Sequence, residues 1–178
     1  MKSIVYVVSL PRSGSTLLQR IISSSDNFKY VPESWFFLNS YQTIANLRGN
    51  SEYGFEAMKR AHSHFGDNAQ RPFFLSNMRK TFIRLYGDGD TKRIIEKTPR
   101  NVLVLDEIFE SLECEDRIII LERDKTEILA SYLRYFDNFL FVKSYKYFNE
   151  INYLQARLDN FVKLHSGDER VLTLNYAD

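Results

Sequence analysis

The stretch YVVSLPRSGSTLLQRI, residues 6–21, decides the fold. It opens inside an apolar run, residues 4–10, that is rich in β-branched side chains. Such a run fits a strand buried on both faces, as in a parallel sheet. It closes on Leu17, Leu18, Ile21 and Ile22, one apolar stripe at helical spacing. Between strand and helix lies a turn with a proline, an arginine, a glycine and three hydroxyls. Against the phosphate-loop pattern G-x-x-x-x-G-K-[ST], Gly14 and Thr16 match, Ser9 replaces the first glycine and Ser15 replaces the lysine. That lysine normally reaches the β- and γ-phosphates, so its loss argues against a nucleoside triphosphatase. The anion-binding physics survives. The first N–H groups of the helix have no internal partner, and the helix dipole turns its positive end into the turn. Ser13, Ser15 and Thr16 add hydroxyl donors, Gly14 lets an oxyanion approach the backbone, and Arg12 supplies a full charge. The plainer reading, a helix capped by Ser13 with Arg12 on the surface, needs fewer of these residues than are present.

Outward from this turn, three further segments read as strands: residues 93–97, 117–123 and 170–176. Apolar stripes at helical spacing lie between them. One is Val102, Leu105, Ile108, Phe109 and Leu112. Another is Ile128, Leu129, Tyr132, Leu133 and Phe136, and a third is Ile151, Leu154, Leu158, Phe161 and Val162. Residues 34–90 contain no convincing strand and read as a helical insert of two or three helices, one over roughly 73–86. Residues 22–27, ISSSDN, read as a helix exit. The alternation predicts a single α/β domain over 1–178, three-layered around a parallel sheet of about four strands, of the P-loop NTPase-like type. Ligands in such folds bind beyond the carboxyl ends of the strands.

Bulk properties narrow the function. The chain has 178 residues and a net charge of +1, so no global basic field recruits nucleic acid or an anionic membrane. No apolar run approaches the length of a membrane span, and no signal-peptide pattern precedes the first strand. One cysteine, Cys114, makes no internal disulfide and no metal cluster, which points to the cytoplasm by default.

The segment PRSGSTLL, residues 11–18, resembles the 5′-phosphosulfate loop of sulfotransferases, Pro-(Lys/Arg)-Ser-Gly-(Thr/Ser)-(Thr/Ser). These enzymes use 3′-phosphoadenosine 5′-phosphosulfate, PAPS, on a P-loop-type sheet. The resemblance implies that Arg12, Ser13, Gly14, Ser15 and Thr16 hold the donor, with Arg12 against the sulfate and bridging oxygen. A second match is RIIILERDKTEILASYLR, residues 117–134. By resemblance Arg123, at a strand end, and Ser131, eight residues later on a helix, bind the 3′-phosphate. An arginine suits a phosphate because its planar fork makes two hydrogen bonds at once. Asp124 and Glu127 have capping-box-like spacing. Lys125 stands where the family often has proline. Taken alone, Arg123 paired with Glu122 or Asp124, and Ser131 facing solvent, is the alternative.

Further resemblances concern the acceptor side. In tyrosylprotein and glycan sulfotransferases a glutamate shortly after the first helix is the base, and Glu33 in YVPESWFF has that placement. An ordinary helix cap by Glu33 or Ser34 is the other reading. Lys97 in IIEKTPRNV matches a Glu-Lys-(Ser/Thr)-Pro motif whose lysine lies near the sulfate or acceptor, against the alternative of a surface lysine. Thr98 reads as a helix N-cap with Pro99 at the first helical position. Arg100 is a weaker acceptor-side candidate. The histidines used by the small-molecule branch have no clear counterpart: His62 and His64 fall in the insert and read as surface residues, and His165 is the third. Aromatic residues from Tyr132 to Tyr153 suit either an acceptor pocket or helix packing with a lid.

The implied activity is in-line transfer of a sulfuryl group from PAPS to a hydroxyl acceptor on a small molecule, glycan or peptide, with no metal required and 3′-phosphoadenosine 5′-phosphate as product. A P-loop kinase or nucleotidase, and a non-catalytic nucleotide- or anion-binding module, are the alternatives. Sulfotransferases usually continue past a final strand such as VLTLNYAD into a helix and a basic glycine-containing loop. By that resemblance the C-terminal portion of the family fold is missing from these 178 residues.

Overall fold

The computed structural model describes residues 2–41, 70–87, 89, 92–135 and 141–177. Five strands form one parallel sheet: β1 (Ser3–Ser9), β2 (Phe28–Val31), β3 (Arg93–Glu96), β4 (Arg117–Glu122) and β5 (Val171–Asn175), in the order β2-β3-β1-β4-β5. β1 is central, and all seven of its residues are buried. Its alternation divides the core. Ile4, Tyr6 and Val8 point into the larger cluster, while Val5 and Val7 point into a smaller one with Ile95. Each such aliphatic side chain is worth about 1.5–3 kcal/mol when fully buried.

The helices are α1 (Ser15–Ile22), α2 (Phe36–Tyr41), α3 (Gln70–Tyr86), α4 (Leu105–Glu110), α5 (Lys125–Tyr135) and α6 (Phe141–His165), with a 3₁₀ helix over Pro99–Val104. The larger cluster gathers Phe37 and Tyr41 of α2, Leu75 and Phe82 of α3, Ile108 of α4, Ile128 of α5 and the Ile151, Leu154, Leu158 and Phe161 stripe of α6. The opposite face receives α1 through Leu18 and Ile22. Leu17 and Ile21, expected on the same buried stripe, are 52% and 60% exposed. An eight-residue helix on a sheet seats only one narrow face. Among the described residues no helix is long and apolar enough to cross a membrane.

The architecture is the α/β parallel sheet the sequence predicts, with one more strand than expected. β2, FKYV, follows directly on the segment read as a helix exit. It is a four-residue edge strand, paired with β3 alone and only partly buried, so it lacks the apolar run that marks the others. The insert contributes α2 and α3; residues 42–69, with His62 and His64, lie outside the described residues.

Below the amino ends of the strands, Asp116 is fully buried. Its carboxylate accepts the Ile4 N–H at 2.7 Å, the Glu113 N–H at 2.9 Å and two N–H groups of Arg79 at 2.5 and 2.9 Å. Arg79, on α3, is itself 3% exposed and also donates to the Lys2 carbonyl just before β1. Removing one member of such a pair strands a buried charge, which costs about 3–5 kcal/mol. Asp116→Ala is therefore expected to lose that much stability in urea unfolding, with the loss reduced when Arg79→Met accompanies it.

Candidate functional site

The parallel pairing brings the carboxyl ends of β1, β3 and β4 side by side, and the loops leaving them enclose one cleft of about 580 Å³. From the loop after β1 come Arg12, Gly14, Ser15 and Thr16; from the segment after β2, Glu33 and Trp35. Lys97 and Arg100 follow β3, Arg123 follows β4, and Ser131 and Tyr132 come from α5. Tyr147 of α6 completes the wall.

The first loop is built around two left-handed residues, Arg12 at φ 69° and Gly14 at φ 95°. Gly14 is the N-cap of α1, and no side chain caps that helix. Its carbonyl accepts the N–H groups of Leu17 and Leu18 at 2.9 and 3.2 Å. Ser13, expected among the ligand hydroxyls, is turned inward. It is fully buried, its Oγ donates to the Leu10 carbonyl at 2.7 Å, and it does not line the cleft. Ser13 thus shapes the loop that presents Arg12, Ser15 and Thr16.

A side chain at residue 14 displaces a neighbouring ring. A Cβ there would lie 2.3 Å from Cε2 of Tyr176, just past β5. Tyr176 is tied to β4 by its N–H to the Glu122 carbonyl at 2.8 Å, and the Arg123 guanidinium lies 4.2 Å from its ring centroid. Tyr176 thus bridges the first loop and the arginine after β4. Sequence reasoning passed over it; its position at the carboxyl end of a parallel strand was the available signal.

The two expected anion anchors meet. Nε of Arg12 donates to Oγ of Ser131 at 3.3 Å. Arg123 pairs with Glu127 at 2.8 Å, one helical turn away, rather than with Glu122 or Asp124. Asp124 caps α5 by accepting the Glu127 N–H at 3.1 Å and the Thr126 hydroxyl, and these bonds hold its carboxyl below the usual range.

On the acceptor side, Lys97 is buried, and its Nζ donates to Glu33 Oε1 at 2.7 Å. The surface-lysine reading is therefore wrong for Lys97, because β3 runs through the sheet interior and ends under the segment carrying Glu33. Thr98 sits at the N-cap position before Pro99, but its hydroxyl makes no cap bond and donates to Glu96 instead. Trp35 has φ 55°, and Arg100, ion-paired with Glu150 of α6 at 2.7 Å, lies over its ring at 5.9 Å. Of the aromatic cluster, Tyr132 and Tyr147 reach the cleft, with rings 4.8 Å apart. Tyr145 and Phe148 are exposed, and Tyr153 lines a separate groove. His165 packs between Phe109 and Phe161 and does not reach the cleft.

A family model described as "Sulfotransferase family" matches residues 5–178. The chain belongs to the sulfotransferase family. Solved structures agree on the fold of this sulfotransferase. The sulfotransferase domain from the curacin biosynthetic pathway is 16% identical with a TM-score of 0.61, over 100% of this chain and 68% of that one. The sulfotransferase domain of the Synechococcus PCC 7002 olefin synthase is 18% identical with a TM-score of 0.62, over 99% and 67%. A sulfotransferase from Alicyclobacillus acidocaldarius is 11% identical with a TM-score of 0.62, over 99% and 74%. No curated protein sequence matches the chain.

Gly14→Ala in this sulfotransferase meets both the positive φ and the Tyr176 ring. A left-handed non-glycine residue costs about 1–2 kcal/mol. The substitution is expected to destabilise by at least that amount in urea unfolding. In a Tyr176→Ala background the steric part should vanish and the backbone part remain.

Proposed function

We propose that this sulfotransferase takes its sulfuryl group from PAPS and delivers it to a hydroxyl acceptor. The observation that supports this reading is the convergence in one cleft of two cation–hydroxyl groupings with a carboxylate–lysine pair. The groupings are Arg12 with Ser15 and Thr16, and Arg123 with Ser131; the pair is Glu33 with Lys97. The donor set fits an adenosine nucleotide carrying anionic groups at both its 5′ and 3′ positions. The open N-terminus of α1 and the flanking hydroxyls suit the 5′ end. Arg123 suits the 3′-phosphate, because its present partner Glu127 is 58% exposed and such a surface pair is easily exchanged.

PAPS, when bound, supplies a sulfuryl group attached to a phosphate leaving group. Glu33 would take the proton of the acceptor hydroxyl, and Lys97 holds its carboxylate in place at 2.7 Å. Arg12, which lines the cleft, would stabilise the phosphate oxygen that keeps the electron pair of the broken S–O bond. Positioning and fixed charge carry most of such a reaction. Trp35, Tyr132 and Tyr147 flank the side where an acceptor enters. The cytoplasm is the compartment proposed, on the single cysteine.

Calorimetry with 3′-phosphoadenosine 5′-phosphate, set against ATP with magnesium, tests the donor. Tighter binding of the 3′-phosphorylated nucleotide is expected, and a preference for ATP rejects the proposal in favour of a kinase or nucleotidase. Arg123→Ala should weaken the 3′-phosphorylated nucleotide by about 1.5–3 kcal/mol, the scale of a charged hydrogen bond. Glu33→Gln should lower sulfate transfer from labelled PAPS by about 10²–10⁴-fold, measured with a hydroxyl acceptor found by screening, and leave nucleotide affinity unchanged. Near-normal transfer would remove Glu33 as the base.

A further inference from the structure

Glu96 ends β3, is 1% exposed, and takes no part in the steps above. Its carboxylate collects three donors from two segments of the chain. Oε1 accepts the Ser34 hydroxyl at 3.0 Å and the Thr98 hydroxyl at 2.7 Å, and Oε2 accepts a side-chain N–H of Asn101 at 2.6 Å. Both hydroxyls are already acceptors. Ser34 Oγ takes the Phe36 N–H at 3.1 Å, and Thr98 Oγ1 takes the Trp35 N–H at 3.3 Å. A hydroxyl has a single hydrogen to give, so both hydrogens go to Glu96 and the direction of every bond is set. The segment tied down in this way is residues 33–35, which places Glu33 on Lys97 and holds Trp35 at φ 55°. A bulky residue keeps such a backbone only where its surroundings over-determine it.

We propose that Glu96 is a positioning residue: through Ser34 and Thr98 it locks residues 33–35 across Lys97 and so presents the Glu33 carboxylate to the acceptor. The proposal rests on the reading of Glu33 as the base, but the clamp is measurable without it.

The clamp also senses protons. Burial raises the Glu96 carboxyl to about 7, and the bonds from Thr98 and Ser34 and the charge of Lys97 pull against that rise. The titratable groups facing it are Lys97 beside it, Glu33 from the segment after β2 and Tyr6 on β1. Asn101 Oδ1 is buried and has no hydrogen-bond partner among the described residues. Turning that amide over would bring the oxygen to Oε2, so a protonated Glu96 keeps a partner there. Because the folded value lies above the ordinary 4.5, the folded chain holds this proton more tightly than the unfolded chain. The stability it contributes is full below about 4.5 and is lost as pH rises to about 7.

Trp35 is the sole tryptophan of the chain, so its emission reports directly on the clamped segment. Titrated from about pH 5 to about pH 9, the wild-type protein is expected to show an emission change with a midpoint of about 7. Glu96→Gln keeps an acceptor oxygen for the two hydroxyls and does not ionise, and it should abolish that change. Ser34→Ala removes one arm of the clamp and leaves Glu96 buried. It should make Lys97 react about five- to tenfold faster with acetic anhydride, the scale of one lost hydrogen bond. An emission transition that persists in Glu96→Gln, or Lys97 labelling unaltered in Ser34→Ala, overturns the proposal. The two failures are distinguishable. Failure of the base role leaves the effects of Glu96→Gln on emission and of Ser34→Ala on labelling intact, whereas failure of the clamp removes those effects of the variants while the Glu33→Gln transfer defect remains.

Discussion

The pairing of β1 with β3 on one side and β4 on the other, all parallel, is the constraint on which the site depends. It sets three strand ends in a row, so loops from distant parts of the sequence open into the same space. Register matters as much as order. Glu96 lies opposite Tyr6, inside the sheet, while the next residue, Lys97, turns into the cleft. A slip of one residue would exchange their faces, putting an ammonium in the hydroxyl nest and a carboxylate in the cleft.

The cleft manages its charge by pairing. Lys97 is matched by Glu33, Arg123 by Glu127 and Arg100 by Glu150. In each pair the carboxylate is partly exposed. Water screens the Arg123 and Arg100 pairs, and each is individually weak, whereas Lys97 is buried. The cations are thereby held in position. Asp116 and Arg79, beneath the sheet, are the opposite case: both are buried, both are multiply bonded, and their role is to tie α3 to β1.

Much of this was legible in the residues because it is local. The β1 run, the glycine in the turn after it, the proline after Thr98 and the cap at Asp124 follow from chemistry within a few positions. The cofactor and base assignments came from resemblance and stand as proposals; the sheet order brings Arg12, Ser131 and Arg123 to one cleft. What escaped was long-range or weakly patterned. β2 is short and half-exposed, so no apolar run announces it. Tyr176 and Glu96 matter through neighbours far along the chain, Gly14 in one case and Ser34 in the other, and no spacing encodes that. Ser13 was legible as a hydroxyl but not as one pointing inward, since only the backbone path decides whether it faces a ligand or Leu10.

The sheet is unevenly clothed. Many helices press on one face, while among the described residues α1 alone packs on the smaller cluster of the other. The same short helix offers its open amino end to the cleft. Under the donor reading proposed above, an anion settling there would grip the one helix that packs on this cluster among the described residues, joining occupancy to structural integrity. Heat resistance of the whole domain then becomes a gauge of saturation, and a melting curve serves as a sensitive way to rank ligands before any acceptor is known.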